Sequence, residues 1–149
     1  MQPHRRKPIR VLVVDDHRVV REGVTRLLRE QCHIEVVGEA DNGQTAIEMA
    51  GQMRPDVVIM DINMPGMNGI EATRKIREQF PQVRIVGLSM HEEREIVALM
   101  KEAGAQAYVA KDRPLDELLL AIRSTAEQLQ QLQQRSHESA PPPTPERGT

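Results

Sequence analysis

Val57-Val58-Ile59-Met60-Asp61-Ile62-Asn63-Met64-Pro65-Gly66-Met67-Asn68-Gly69 joins an unbroken apolar run to a carboxylate and then to turn residues. A run without polar alternation is the pattern of a strand covered on both faces of a parallel sheet. The prolines, glycines and asparagines that follow it mark a loop. Asp61 therefore stands at the C-terminal edge of a strand. In an open α/β sheet that edge is where connecting loops leave a crevice for ligands and chemistry. Taken alone, Asp61 reads equally well as a cap for the next helix, because Asp favours turns and N-caps. The remainder of the chain has to decide between the two.

Upstream, Ile9 to Val14 is a second branched apolar run, and it ends in Asp15-Asp16, which repeats the order of strand then carboxylate. From His17 to Glu30 the spacing of Val19, Val20, Gly23, Val24, Leu27 and Leu28 predicts one apolar helix face, with Arg18, Arg21, Arg26 and Arg29 outside it. A strand over Ile34 to Ala40 and a turn at Asp41-Asn42-Gly43 precede a helix that buries Ala46, Ile47, Ala50 and Met53. Pro55 closes that helix and leads into the strand ending at Asp61. Downstream, Ile70, Thr73, Ile76, Arg77 and Phe80 mark a helix stopped by Pro81, and Val83 to Leu88 forms a strand ending at Ser89. Glu92 to Ala103 reads as a helix closed by Gly104. Ala107 to Ala110 is the last strand; Lys111 follows it, and Pro114 opens a helix with Leu115, Leu118, Leu119, Ile122 and Ala126 inside. Five strands alternating with five helices predict a doubly wound α/β fold around a five-stranded parallel sheet.

The domain boundaries follow from composition. Residues 1–8 are a basic, proline-containing lead-in, and 9–126 form one domain. Residues 127–149 turn glutamine-rich and then proline-rich, which predicts a helix extension that gives way after Arg135 to a linker or disordered tail. At 149 residues there is no room for two full domains. A net charge of -2 gives no electrostatic footprint for nucleic acid, so direct nucleic-acid binding by this chain is disfavoured. The single cysteine, Cys32, precludes an internal disulfide and fits a cytoplasmic setting. No apolar run approaches the roughly 20 residues that a membrane helix requires, so no membrane association is expected.

The decisive observation is convergence. In a parallel sheet the residues just past the strands share one edge, which brings Asp15, Asp16, Asp61, Ser89 and Lys111 to a single crevice. Crowded carboxylates resist ionisation unless a cation compensates them. A hard, oxygen-seeking ion such as Mg2+, or Mn2+ in its place, meets that need. Lys111 adds a fixed cation able to pair with a carboxylate or a phosphoryl group. Each residue has a plainer reading. Asp15 or Asp16 could cap the first helix, Ser89 could open the next one, Lys111 could be a solvated charge, and Tyr108 ordinary sheet packing.

These residues resemble the receiver domain of bacterial two-component response regulators over about Ile9 to Ala126. The motifs that carry the resemblance are Val13-Val14-Asp15-Asp16-His17, Met60-Asp61-Ile62-Asn63-Met64-Pro65-Gly66-Met67-Asn68-Gly69, Leu88-Ser89-Met90 and Tyr108-Val109-Ala110-Lys111. The resemblance implies a flavodoxin-like fold and a chain that is not a turnover enzyme. It implies that Asp61 accepts a phosphoryl group from a sensor histidine kinase. It further implies that Asp16 ligates Mg2+ directly and Asp15 largely through water, with Asp61 and the backbone carbonyl of Asn63 completing the protein ligands. Lys111 and Ser89 would contact the phosphoryl group, Ser89 and Tyr108 would form a switch pair, and Asn63 and His91 would influence phosphoryl lifetime. His91 also has a plain reading, as a surface residue opening a helix.

The strings around Asp15-Asp16-His17 and Leu88-Ser89-Met90-His91-Glu92 look most like the subgroup whose receivers precede a LuxR-type helix-turn-helix domain. A DNA-binding output of that kind lies outside this sequence, and a stand-alone receiver acting through protein contacts is the alternative. Whether phosphorylation produces a homodimer is left open. An aspartyl-phosphate hydrolase of the haloacid dehalogenase type would need a second acid two residues after the nucleophile, where this chain has Asn63. A nucleotide-binding module would need a glycine-rich loop after Ile9 to Val14, and none is there.

Overall fold

A computed structural model describes the backbone of residues 7–90 and 94–138 and the side chains of 7–90 and 94–128. The elements run β1 (Ile9–Val14), α1 (Arg18–Arg29), β2 (Ile34–Ala40), α2 (Gly43–Met53), β3 (Val57–Asp61), α3 (Gly69–Gln79), β4 (Arg84–Ser89), α4 (Arg94–Ala103), β5 (Ala107–Ala110) and α5 (Leu115–Glu138). The five strands form one parallel sheet in the order β2-β1-β3-β4-β5. The expected doubly wound α/β architecture is present. The elements agree closely with those read from the sequence; β4 keeps Ser89 as its last residue, and α5 runs three residues past Arg135.

Strand alternation divides the core into two layers. Leu12, Val14, Val58, Met60 and Ile85 point to one face, where Ala46, Ile47 and Ala50 of α2, Ala72 and Ile76 of α3, and Met100 of α4 cover them. Val11, Val13, Val57, Ile59, Val86 and Leu88 point to the other, under Leu28 of α1 and Leu118, Ile122 and Ala126 of α5. Both faces of β3 are therefore buried, which is why its sequence shows no alternation. Each large aliphatic side chain enclosed in this way contributes about 1.5 to 3 kcal/mol.

The helix ends follow local chemistry. Asn42 and Asn68 cap α2 and α3, their side chains accepting from the Thr45 and Glu71 amides at 2.9 and 3.0 Å. Asp61 is thus not the cap of α3, which removes the plainer reading of that residue. Gly104, at φ +115°, closes α4 in the left-handed region that favours glycine.

Two expectations need correction. The apolar face assigned to α1 is rotated: Val19 is 84 % exposed and Leu27 and Gly23 also face outward, whereas Thr25 and Leu28 are buried. The cause is Arg21, a residue expected outside the apolar face. Its guanidinium turns inward to donate to the Asp15 carbonyl at 2.8 Å and to pair with Glu39 at 3.4 Å. Met53, expected inside α2, is exposed; it is the last residue of the helix, a turn past the last buried position, Ala50. The proposed N-terminal lead up to residue 6, the start of the fourth helix at Glu92 and the tail after Glu138 lie outside the described residues, as does His91.

Candidate functional site: an acidic pocket with a buried lysine

The chain leaves β1 for β2 on one side and returns to β3 on the other, so β1 and β3 flank the point where the winding reverses. Loops diverge there and open a crevice at the C-terminal ends of the strands. Asp15 and Asp16 follow β1 directly, and Asp61 is the last residue of β3. Asp15 and Asp61 are each only 1 % exposed. Asp15 caps no helix; its Oδ1 accepts from the His17 amide at 2.9 Å, which fixes the turn into α1.

Lys111 enters from the far side of the sheet. Ser89 pairs with Ala110 across β4 and β5, and the Lys111 amide donates to the Ser89 carbonyl at 2.6 Å, which sets the lysine at the same edge. Its Nζ lies 2.8 Å from Asp15 Oδ2 and 3.2 Å from Asp61 Oδ1. The side chain is only 8 % exposed, so it is not the solvated charge of its plainer reading.

The electrostatics are unbalanced, with three carboxylates against one ammonium. Burial pushes the Asp61 carboxyl up to about 7, and the negative charge of Asp15 pushes in the same direction. Lys111 opposes both, and the neighbouring Asp16 raises the value again because a shared proton can join the two carboxyls. Burial alone would lower Lys111, but its hydrogen bond to Asp15 and the charges of Asp61 and Asp15 outweigh this and hold it above the ordinary lysine value.

The pocket fits a divalent cation. Asp15, Asp16, His17 and Asp61 offer ligand atoms that all lie within 4.8 Å of one another. Asp61 Oδ2 and Asp16 Oδ1 are buried and accept no hydrogen bond. A buried carboxylate oxygen without a donor is costly, and a divalent ion held by carboxylates and water removes that cost.

The remaining candidates are placed less centrally. Ser89 is buried as the last residue of β4, at the same edge. Tyr108 is half-buried on β5 opposite Gly87, where a side chain on the glycine would crowd its ring. It lines a groove of about 640 Å³ with Arg94, Val97, Ala98, Lys101 and Gln106, away from the carboxylates. Asn63 is exposed in the loop after β3.

Two residues of the site were not singled out from sequence. His17 joins the ligand cluster, and Gly69 packs directly on the backbone of Asp61. Position 69 ends the stretch from Val57 to Gly69, but its need for a missing side chain is visible only in three dimensions.

Comparison with known proteins gives a consistent picture. Residues 11–123 match the family described as the response regulator receiver domain. The response regulator GacA of Pseudomonas aeruginosa is 44 % identical over 115 residues, covering 77 % of this chain and 54 % of that protein. The nitrate/nitrite response regulator NarL of Escherichia coli K12 is 43 % identical over 122 residues, covering 80 % and 56 %. The chain thus spans about half the length of the curated relatives it matches. Among solved structures, the signal receiver domain of NarL from Mycobacterium tuberculosis superposes with a TM-score of 0.78 at 36 % identity, over 82 % of this chain and 98 % of that one. A LuxR-family two-component response regulator from Aurantimonas gives 0.79 at 38 % identity, over 82 % and 87 %. With the acidic pocket, its buried lysine and the sheet order all in place, the chain belongs to the receiver domain family of two-component response regulators, among relatives of the LuxR and NarL type.

Proposed function

We propose that Asp61 is the phosphoacceptor of this receiver and takes its phosphoryl group from the phosphohistidine of a sensor histidine kinase. The observation that carries this reading is the Asp61 carboxylate itself: Oδ1 faces the Lys111 ammonium at 3.2 Å, and Oδ2 accepts no hydrogen bond. In the transfer a carboxylate oxygen attacks phosphorus, the P–N bond breaks with its electron pair on the imidazole nitrogen, and Asp61 becomes an acyl phosphate. Such a reaction asks the protein for alignment and for positive charge against the equatorial oxygens. Lys111 provides that charge by moving from the carboxylates to the phosphoryl oxygens.

Asp15, Asp16 and Asp61, with the backbone carbonyl of Asn63, would hold Mg2+ or Mn2+. When bound, the ion neutralises the crowded carboxylates and favours the ionised form of Asp61. Receiver domains are signal transducers rather than turnover enzymes, and this chain catalyses only its own phosphorylation and slow dephosphorylation. Asn63 offers no carboxylate to activate water against the acyl phosphate, so the adduct persists; His91 would tune the same step.

Phosphorylation adds about 1.5 to 2 negative charges beside Ser89. The Ser89 hydroxyl gains a charge-assisted hydrogen bond by moving toward them, Tyr108 follows, and the groove between α4 and β5 changes shape. Residues 9–126 form this signalling unit, preceded by the lead-in of residues 1–8. Residues 127–149 connect it to a DNA-binding output in the cytoplasm, in keeping with relatives named as transcriptional regulatory proteins, DegU of Brevibacillus brevis and MctR of Rhizobium johnstonii. Incubation with acetyl phosphate and Mg2+ tests the proposal: a stable adduct that Asp61→Asn abolishes supports it, and continuous phosphate release at enzymatic rates points instead to a hydrolase.

A further inference from the structure

The backbone that presents Asp15 and Asp16 is held from three directions. The Asp15 amide donates to the Ala40 carbonyl at 3.0 Å, which carries the ladder between β1 and β2 one residue past the strand. Asp15 Oδ1 accepts from the His17 amide at 2.9 Å. The Asp15 carbonyl is different, because among the described residues no backbone amide donates to it. Arg21, six positions along the chain, supplies the donor through Nη1 at 2.8 Å.

That carbonyl belongs to the planar peptide joining Asp15 to Asp16, so its direction sets the plane from which Asp16 departs. Asp16 Oδ1 accepts no hydrogen bond, and its ion-pair partner is the largely exposed His17 ring at 3.1 Å. The backbone is therefore what aims the Asp16 carboxylate. Arg21 is itself fixed at both ends. Its amide donates to the His17 carbonyl at 2.9 Å in the first turn of α1, and its Nε faces Glu39 Oε1 on β2 at 3.4 Å. A planar guanidinium can serve a carbonyl with one nitrogen and a carboxylate with another. Glu39 directly precedes Ala40, so the amide and the carbonyl of Asp15 are both referred to the same end of β2.

We infer that Arg21 is a positioning residue of the site: it sets Mg2+ affinity through the peptide between Asp15 and Asp16, with its guanidinium turned to the Asp15 carbonyl and Glu39. The inference rests on the reading of the pocket as a Mg2+ site and extends it to a residue that reading does not use. Groups that orient metal ligands from behind change affinity or activity by about 10 to 100-fold when they are lost. A purely structural Arg21, which only satisfies a carbonyl and ties α1 to β2, would change stability and leave affinity alone.

The test compares Arg21→Ala with Leu28→Ala in the full chain, each at a temperature where it is folded. Leu28 is fully buried on the same helix, under the sheet face and outside the pocket. Mg2+ titration followed by amide NMR should show Arg21→Ala binding about tenfold more weakly than the parent. Leu28→Ala should bind as the parent does, although it loses more stability. With acetyl phosphate, Arg21→Ala should need about tenfold more Mg2+ for half its maximal phosphorylation rate, while the rate at saturating Mg2+ stays within about twofold of the parent's. In ion-free protein the amide order parameters of Asp16 and His17 should fall in Arg21→Ala, while those of Val13 and Ile59 hold. Unchanged Mg2+ affinity in Arg21→Ala, or an equal loss in Leu28→Ala, would overturn the inference alone and leave Arg21 a stabilising residue. A parent chain that binds no Mg2+ would overturn it together with the metal-binding reading beneath it.

Discussion

Gly69 lies against Asp61 so closely that a Cβ at position 69 would stand 2.2 Å from the Asp61 carbonyl oxygen. The same Cβ would stand 2.8 Å from the Ile62 α-carbon, and the Gly69 amide donates to the Ile62 carbonyl at 3.0 Å. The obstacle is backbone, which cannot swing aside as a side chain would. The first residue of α3 therefore clamps the end of β3, and with it Asp61. Gly69→Ala should cost about 1 to 3 kcal/mol in chemical denaturation and displace Asp61 from Lys111. A variant as stable as the parent, with unchanged phosphorylation, would show that the clamp has no role.

Lys111 neutralises part of the charge on Asp15 and Asp61 and lowers the Asp61 value against the effect of burial. Lys111→Ala should raise the Asp61 pKa further, as read by NMR titration of the carboxyl carbon, because the opposing cation is gone. Phosphorylation by acetyl phosphate should slow by about a hundredfold, the scale expected for loss of one charged stabiliser of a transition state. An Asp61 titration unmoved by this change would mean that Lys111 does not couple to it.

The raised Asp61 value sets a pH dependence whose sign can be worked out. Asp61 titrates near 3.8 in the unfolded chain and near 7 in the folded one, so between those values the folded state holds the extra proton. Its contribution to stability is fully present below about pH 4 and is lost as pH rises through 7. Without divalent ions, Asp61→Asn should therefore be more stable than the parent at pH 8, by about 1 to 3 kcal/mol, with the difference shrinking toward pH 4. Mg2+ added at pH 8 should stabilise the parent far more than the variant. Parallel stability curves across this range would refute the account of Asp61.

Arg21 ties α1 to the pocket through the Asp15 carbonyl and Glu39. Arg21→Ala should lower stability by about 1 kcal/mol, since a partly buried carbonyl loses a charged donor. Val19→Ser, on the same helix but exposed, should be neutral. A larger loss at Val19 than at Arg21 would restore the face predicted from the sequence.

These contrasts show what a single sequence makes legible. The strands and the acids at their ends were visible, because burial on both faces removes alternation and the edge residues break the apolar run abruptly. The burial side of α1 was not, since Arg21 and Thr25 look like surface residues until their partners are in place. The long stem of Arg21 lets its charge reach a carbonyl while its carbons fill space. Gly69 was hidden for a similar reason: the demand for a missing Cβ comes from the end of β3, eight positions earlier, and leaves no mark on local periodicity. His17 reads in the sequence as the start of a helix, because its closeness to Asp16 depends on the turn that Asp15 fixes.

Phosphorylation should also reach the groove beside Tyr108. Beryllofluoride with Mg2+, which imitates the phosphorylated aspartate, should shift the NMR signals of Ser89, Tyr108 and α4 residues such as Val97 and Lys101. Shifts confined to the pocket would separate acceptance of the phosphoryl group from any switch.

The central claim is the identity of the phosphoacceptor. Borohydride reduces an aspartyl phosphate to homoserine, which peptide mass spectrometry locates in the chain. After treatment with acetyl phosphate and Mg2+, homoserine should appear at position 61 and at neither 15 nor 16. Its appearance at Asp15 or Asp16, or an unmodified Asp61 in phosphorylated protein, would contradict the account.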